Sequence, residues 1–230
     1  MGIILHRDLG QALLIEDMDN NFDYLDKRPD GQIYPPTKGL GLRIDHAVPD
    51  FGWHDLKGML RHDLSLNPPV AAPYQGNIVQ SQVTVGQGVT FDFHLPHDYA
   101  PNTDIYVHVH WSHNSAFVGQ GSVVWQVELT YAKGHNQGHF NTPILVNIAQ
   151  DASPVRYQHM VGEVVCSSQG GLGGLLPTED LEPDGLVLAH VTLVENTILQ
   201  ATDPFIHTVD IHYQSTCLPT KNKSPNFWGA

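Results

Sequence analysis

From residue 78 onward, apolar and polar side chains alternate along the chain, the mark of strands that bury one face. In residues 122–131, Val123, Trp125, Val127, Leu129 and Tyr131 fall on one face, and Ser122, Val124, Gln126, Glu128 and Thr130 on the other. Similar alternation runs through residues 78–85, 89–95, 105–111, 144–148, 157–166, 186–194 and 205–213, making about eight strands. Turn-forming clusters separate them, among them Gly86-Gln87-Gly88, Pro96-His97-Asp98 and Glu182-Pro183-Asp184-Gly185, at spacings too short for crossover helices. The pattern predicts a mainly β chain whose body, residues 76–216, is an antiparallel β-sandwich of jelly-roll-like type. Gly170-Gly171-Leu172-Gly173-Gly174 interrupts the alternation and reads as a surface loop.

Residues 1–75 lack this pattern and read as an extended N-terminal arm containing one short helix. Met18, Phe22 and Leu25 stand at i, i+4 and i+7, one apolar stripe on a helix that needs a surface to lie against. Arg28-Pro29-Asp30-Gly31 supplies the turn that ends it. Tyr34-Pro35-Pro36 and Asn67-Pro68-Pro69 argue against a compact core in this part, and Trp53, in an expected loop over residues 50–55, is a candidate anchor. Residues 217–230 read as a C-terminal tail ending in Phe227 and Trp228, an aromatic pair either docked on its own domain or inserted into a neighbour.

Charge narrows the partners. Asp and Glu outnumber Lys and Arg by 24 to 11, and no basic stripe is present, so binding to nucleic acid through its phosphates is not expected. No apolar run is long enough to span a bilayer, and the start of the chain lacks a secretory signal pattern, so neither a membrane partner nor a secretory address is expected. Cys166 and Cys217 stand in no metal-binding or redox spacing and read as small apolar fillers.

Fifteen histidines are the chain's main chemical resource. In a strand over residues 105–111, His108 and His110 project together beside Tyr106, while Val107, Val109 and Trp111 face the core. That is metal-ligand geometry, and the pair resembles the HxH of cupin-type metal sites. No Glu follows at the cupin spacing, however. His108, His110 and His113 are the candidate ligands, with His113, His190, His207 or His212 as a possible third. The preferred reading is histidines that hydrogen-bond across a polar sheet face or at a subunit contact, with no metal and no cofactor. Carboxylates crowd residues 178–184 and 17–23, from which a glycosidase pair could be drawn, but acidic runs in loops are usually just solvated. No nucleophile elbow is present, and no enzymatic activity is expected.

Two sets of residues carry a resemblance. The segment DMDNNFDYL, residues 17–25, resembles the "EMDxNFxxL" motif near the start of many tailed-phage fibre and other virion proteins, with Asp17 in place of Glu and Asp19, Asn21, Phe22 and Leu25 matching. The strand block, with TDIYVHVHWSH, GSVVWQVELTYAKG and DPFIHTVDIHYQST, is similar to a β-sandwich family of uncharacterised phage structural proteins. The resemblance implies a non-enzymatic virion protein, made in the host cytoplasm, commonly a homotrimer, attached through Met18, Asp19, Asn21, Phe22 and Leu25. A capsid decoration or cement protein would clamp neighbouring copies of the major capsid protein with the arm. A short tail-fibre or tail-adaptor protein would instead dock on tail proteins and present the sandwich to a host receptor. A metal-binding, cupin-like enzyme using His108 and His110 is the remaining alternative.

Overall fold

The computed structural model describes residues 51–61, 64–116, 119–199 and 203–228. The chain separates into residues 1–52 and 53–230, and nearly all described residues belong to the second unit. The predicted helix with Met18, Asp19, Asn21, Phe22 and Leu25 lies outside the described residues.

Thirteen strands are present among these residues. They are β1 (Gly52–Lys57), β2 (Met59–Arg61), β3 (Val70–Gln75), β4 (Ile78–Gln82), β5 (Gly88–His94), β6 (Ile105–Ser112), β7 (Ser122–Ala132), β8 (Ile144–Asp151), β9 (Met160–Val165), β10 (Ser167–Ser168), β11 (Leu176–Pro177), β12 (Leu186–Asn196) and β13 (Phe205–Ser215). One sheet has the order β3-β4-β13-β6-β9, with β1 also pairing with β13, and the other has the order β2-β5-β12-β7-β8. β10 and β11 form a small parallel pair.

The eight strands expected from alternation are β4 to β9, β12 and β13. Their distribution, β4-β13-β6-β9 in one sheet and β5-β12-β7-β8 in the other, is the jelly-roll arrangement of two interlocked four-stranded sheets. The alternation buries one face of each sheet against the other. Trp111 from β6 and Trp125 from β7 meet in the middle with ring centroids 6.3 Å apart, among Phe91, Phe93, Val109, Val127, Val191 and Ile211. Each such side chain contributes roughly 1.5–3 kcal/mol through burial.

The register of β13 needs one adjustment. Ile206 and Val209 are three residues apart, yet both belong to the core, opposite Trp111 and Val109. Strict alternation would put one of them outside. A bulge between Ile206 and Thr208 takes up the extra residue, His207, and resets the strand so that Thr208, Asp210 and His212 fall on the outer face.

Within the expected arm, residues 52–57, 59–61 and 70–75 are strands. They form β1, β2 and β3 and pair with both sheets. Pro73 is accommodated because β3 is an edge strand, where a missing ladder donor costs little. The glycine-rich segment is a surface turn as expected, with Gly170, Gly171, Gly173 and Gly174 all at positive φ. The tail folds back on the sandwich: Phe227 is buried, with its ring 5.7 Å from His97 and 5.9 Å from His135. Trp228 remains 44% exposed.

Candidate functional site

The outer face of the β13-β6-β9 part of the first sheet carries the densest cluster of titratable groups among the described residues. Because β6 alternates, Tyr106, His108 and His110 leave the core side together, as expected. The ladders then fix their neighbours: His108 stands opposite Glu163 on β9 and opposite Asp210 on β13, a row of three residues across three strands.

Within this row, His108 Nε2 lies 2.6 Å from Glu163 Oε2, and His108 Nδ1 lies 3.2 Å from Asp210 Oδ1. His110 Nε2 is 2.8 Å from Asp210 Oδ2, and His110 Nδ1 is 2.7 Å from His159 Nε2. His212, also on β13, brings its ring to 4.7 Å from that of His108 and its Nδ1 to 3.9 Å from Glu163 Oε2. On the other side of His212 stand Trp53 of β1, at 4.9 Å between ring centroids, and Asp55, whose Oδ1 is 3.7 Å from His212 Nε2.

The electrostatics follow from these contacts. The Asp210 carboxylate beside His108 raises the imidazole above its ordinary value, burial opposes this, and Glu163 adds to the rise. Burial alone would raise Asp210, but its contacts with His108 and His110 outweigh that and hold the carboxyl well below the usual range. The row thus sets one imidazole between two carboxylates, of which Asp210 is the buried one.

Not every predicted histidine joins. His113 lies past the end of β6, fully buried, where Nε2–H donates to Ser153 O at 3.0 Å and Nδ1 accepts from Ser115 N–H at 3.2 Å. His190 sits on the opposite sheet against Thr90 Oγ1 at 3.0 Å. His207 belongs to a neighbouring chain of hydrogen bonds: Tyr74 Oη and Ser112 Oγ are 2.9 Å apart, Ser112 Oγ and His207 Nε2 are 2.9 Å apart, and His207 Nδ1–H donates to Gln80 Oε1 at 3.1 Å. Asp210 and Glu163 are the residues that sequence reading missed. The one available signal is the repeat of polar alternation in Asp210-Ile211-His212, which matches His108-Val109-His110 on a second strand.

The cupin resemblance does not carry over. His108 and His110 face away from the core, and the space between the sheets is filled by Trp111, Trp125 and their neighbours. Trp53, expected in a loop, lies in β1 with 48% exposure, edge-on to Tyr106 at 5.6 Å. The carboxylates of residues 178–184 do not form a pair. Glu179 accepts Gly170 N–H, Asp180 pairs with Lys133, Glu182 with Gln137, and Asp184 with His94, His97 and His135. No helix among the described residues is long and apolar enough to cross a membrane.

No family model and no curated protein matches the chain. Among solved structures it is similar to the CBM22-1–GH10 modules of Clostridium thermocellum endo-1,4-beta-D-xylanase 10B, at 15% identity and a TM-score of 0.33, over 74% of this chain and 28% of that one. A family 35 carbohydrate-binding module from Clostridium thermocellum gives 10% identity and 0.32, over 70% and 97%. The receptor-binding domain of the spike protein P1 from bacteriophage PM2 gives 10% and 0.29, over 67% and 98%. At these values the likeness carries no statement about what the chain binds or does.

Proposed function

We propose that the protein is a non-enzymatic virion structural protein, a capsid decoration protein whose N-terminal segment clamps neighbouring copies of the major capsid protein while the jelly roll forms the exposed body. The observation that carries this reading is the segment DMDNNFDYL, with its apolar stripe of Met18, Phe22 and Leu25, ahead of a compact jelly-roll body. Surface composition supports an assembly role: Leu64, Leu66, Val70, Ile78 and Val79, crowded into residues 64–79, are all exposed apolar side chains. A homotrimer is the proposed form. The motif's occurrence in fibre proteins favours a second reading, a short tail-fibre or tail-adaptor protein.

The test is to locate and count the protein on intact particles by electron microscopy. Hundreds of copies on the head lattice support decoration, and a few tens at the tail support the second reading. Each of Met18, Phe22 and Leu25, if buried in a partner groove, contributes on the order of 1.5–3 kcal/mol. Phe22→Ala should then release the protein from particles while its melting temperature stays unchanged. Retained occupancy with a lowered melting temperature would reject attachment through this stripe.

A further inference from the structure

His108, His110 and Asp210 each place one ligating atom within 4.8 Å of the others. Asp210 is only 7% exposed, yet neither its Oδ1 nor His110 Nε2 has a hydrogen-bond partner. Distance is not the reason, since His110 Nε2 is 2.8 Å from Asp210 Oδ2 and His108 Nδ1 is 3.2 Å from Asp210 Oδ1. These short contacts therefore lack the alignment of hydrogen bonds. Buried polar atoms left this way are costly, and a cation held between them removes the cost.

The far side of each imidazole strengthens the case. His108 Nε2 is bonded to the Glu163 carboxylate at 2.6 Å, and His110 Nδ1 to His159 Nε2 at 2.7 Å. Metal-bound imidazoles characteristically donate their second N–H to a carboxylate or another acceptor, which fixes the tautomer and turns the free lone pair toward the ion. Both histidines have such a partner on the far ring nitrogen, and both stand on β6, whose register is set by two flanking ladders.

We infer that His108 Nδ1, His110 Nε2 and the Asp210 carboxylate bind one divalent first-row transition-metal cation on the outer face of the sheet, with Glu163 and His159 orienting the two imidazoles. Two imidazoles and one carboxylate suit zinc or ferrous iron rather than magnesium or calcium, which take oxygen ligands. Three protein ligands leave at least one position for water or an incoming donor. The overlapping trio of Asp55, His108 and His212 is the weaker cage, because the Asp55 side chain is 65% exposed.

The experiment uses the full chain, stripped with a chelator and titrated with Zn2+ and with Co2+, reading stoichiometry, affinity, melting temperature and the visible spectrum of the cobalt form. The expected result is one ion per chain, a raised melting temperature and a cobalt spectrum of low coordination number. His110→Gln and Asp210→Asn should each weaken binding at least 10-fold, Glu163→Gln should weaken it roughly 10- to 100-fold through the outer shell, and His212→Gln should leave it unchanged. If Asp210→Asn fails to fold, His110→Gln decides. Weak uptake without fixed stoichiometry, or binding untouched by His110→Gln, overturns the inference. Loss in His212→Gln with retention in His110→Gln overturns it in favour of the Asp55 trio.

Discussion

Asp210 on β13 stands directly opposite His108 on β6, and its carboxylate is the buried member of a row whose other carboxylate, on Glu163, is 53% exposed. The two acids should therefore contribute unequally. Removing one partner of a buried pair leaves an uncompensated charge and costs about 3–5 kcal/mol, whereas an exposed pair is worth about 0–1 kcal/mol. Urea denaturation in the presence of a chelator should show Asp210→Ala losing about 3 kcal/mol or more and Glu163→Ala less than about 1 kcal/mol. Equal losses would mean that the two acids share one environment.

The inter-sheet tryptophans offer a second contrast. Trp111 Nε1–H donates to Gln150 Oε1 at 2.7 Å, while Trp125 Nε1 is buried without a partner. Truncating either to Ala should cost about 3–5 kcal/mol through lost contacts and the cavity left behind. Replacement by Phe separates them. Trp111→Phe strands Gln150, whereas Trp125→Phe removes an orphaned donor, so thermal or urea unfolding should rank Trp111→Phe as the more damaging by about 1 kcal/mol.

All eight strands of the jelly roll were legible because alternation is a local property: Val123 to Tyr131 declare their face without reference to any partner. The edge strands were not. Pro73 in β3 and Gly58 between β1 and β2 break the period, and those strands are held in place by ladders to distant residues. The same limit applies to the candidate site. The shared face of His108 and His110 is a matter of spacing, but Asp210 and Glu163 reach it only through strand order and register. Register in turn depends on the bulge at His207, which the sequence marks by nothing more than two apolar residues at odd separation.

The two thiols should differ in reactivity. Cys166 is fully buried and burial pushes its thiol up to about 12, so it carries almost no thiolate at neutral pH. Cys217 is exposed. A thiol reagent at pH 8 should modify one cysteine per native chain and two in denaturant, with Cys217→Ser abolishing the native reaction. Rapid labelling of both in the native state would place Cys166 outside the core.

His207 sets a pH dependence whose sign can be worked out. Burial first, then the neighbouring His159 and His110, push its imidazole down to about 4, from about 6.5 in an unfolded chain. Its hydrogen bonds fit the neutral ring, since Nδ1–H donates to Gln80 and Nε2 accepts from Ser112. Between those two pH values the unfolded chain binds the proton that the folded chain refuses, so stability falls as pH drops from about 6.5 toward 4. His207→Gln keeps a polar group near Ser112 but has no such proton to bind. Urea midpoints measured at pH 7 and pH 4.5, with chelator present, should therefore fall less in His207→Gln than in the parent protein, whatever the variant's own stability at pH 7. An equal or larger fall in the variant would mean that His207 takes up its proton in the folded state, and that the Tyr74–Ser112–His207–Gln80 chain does not hold the ring neutral.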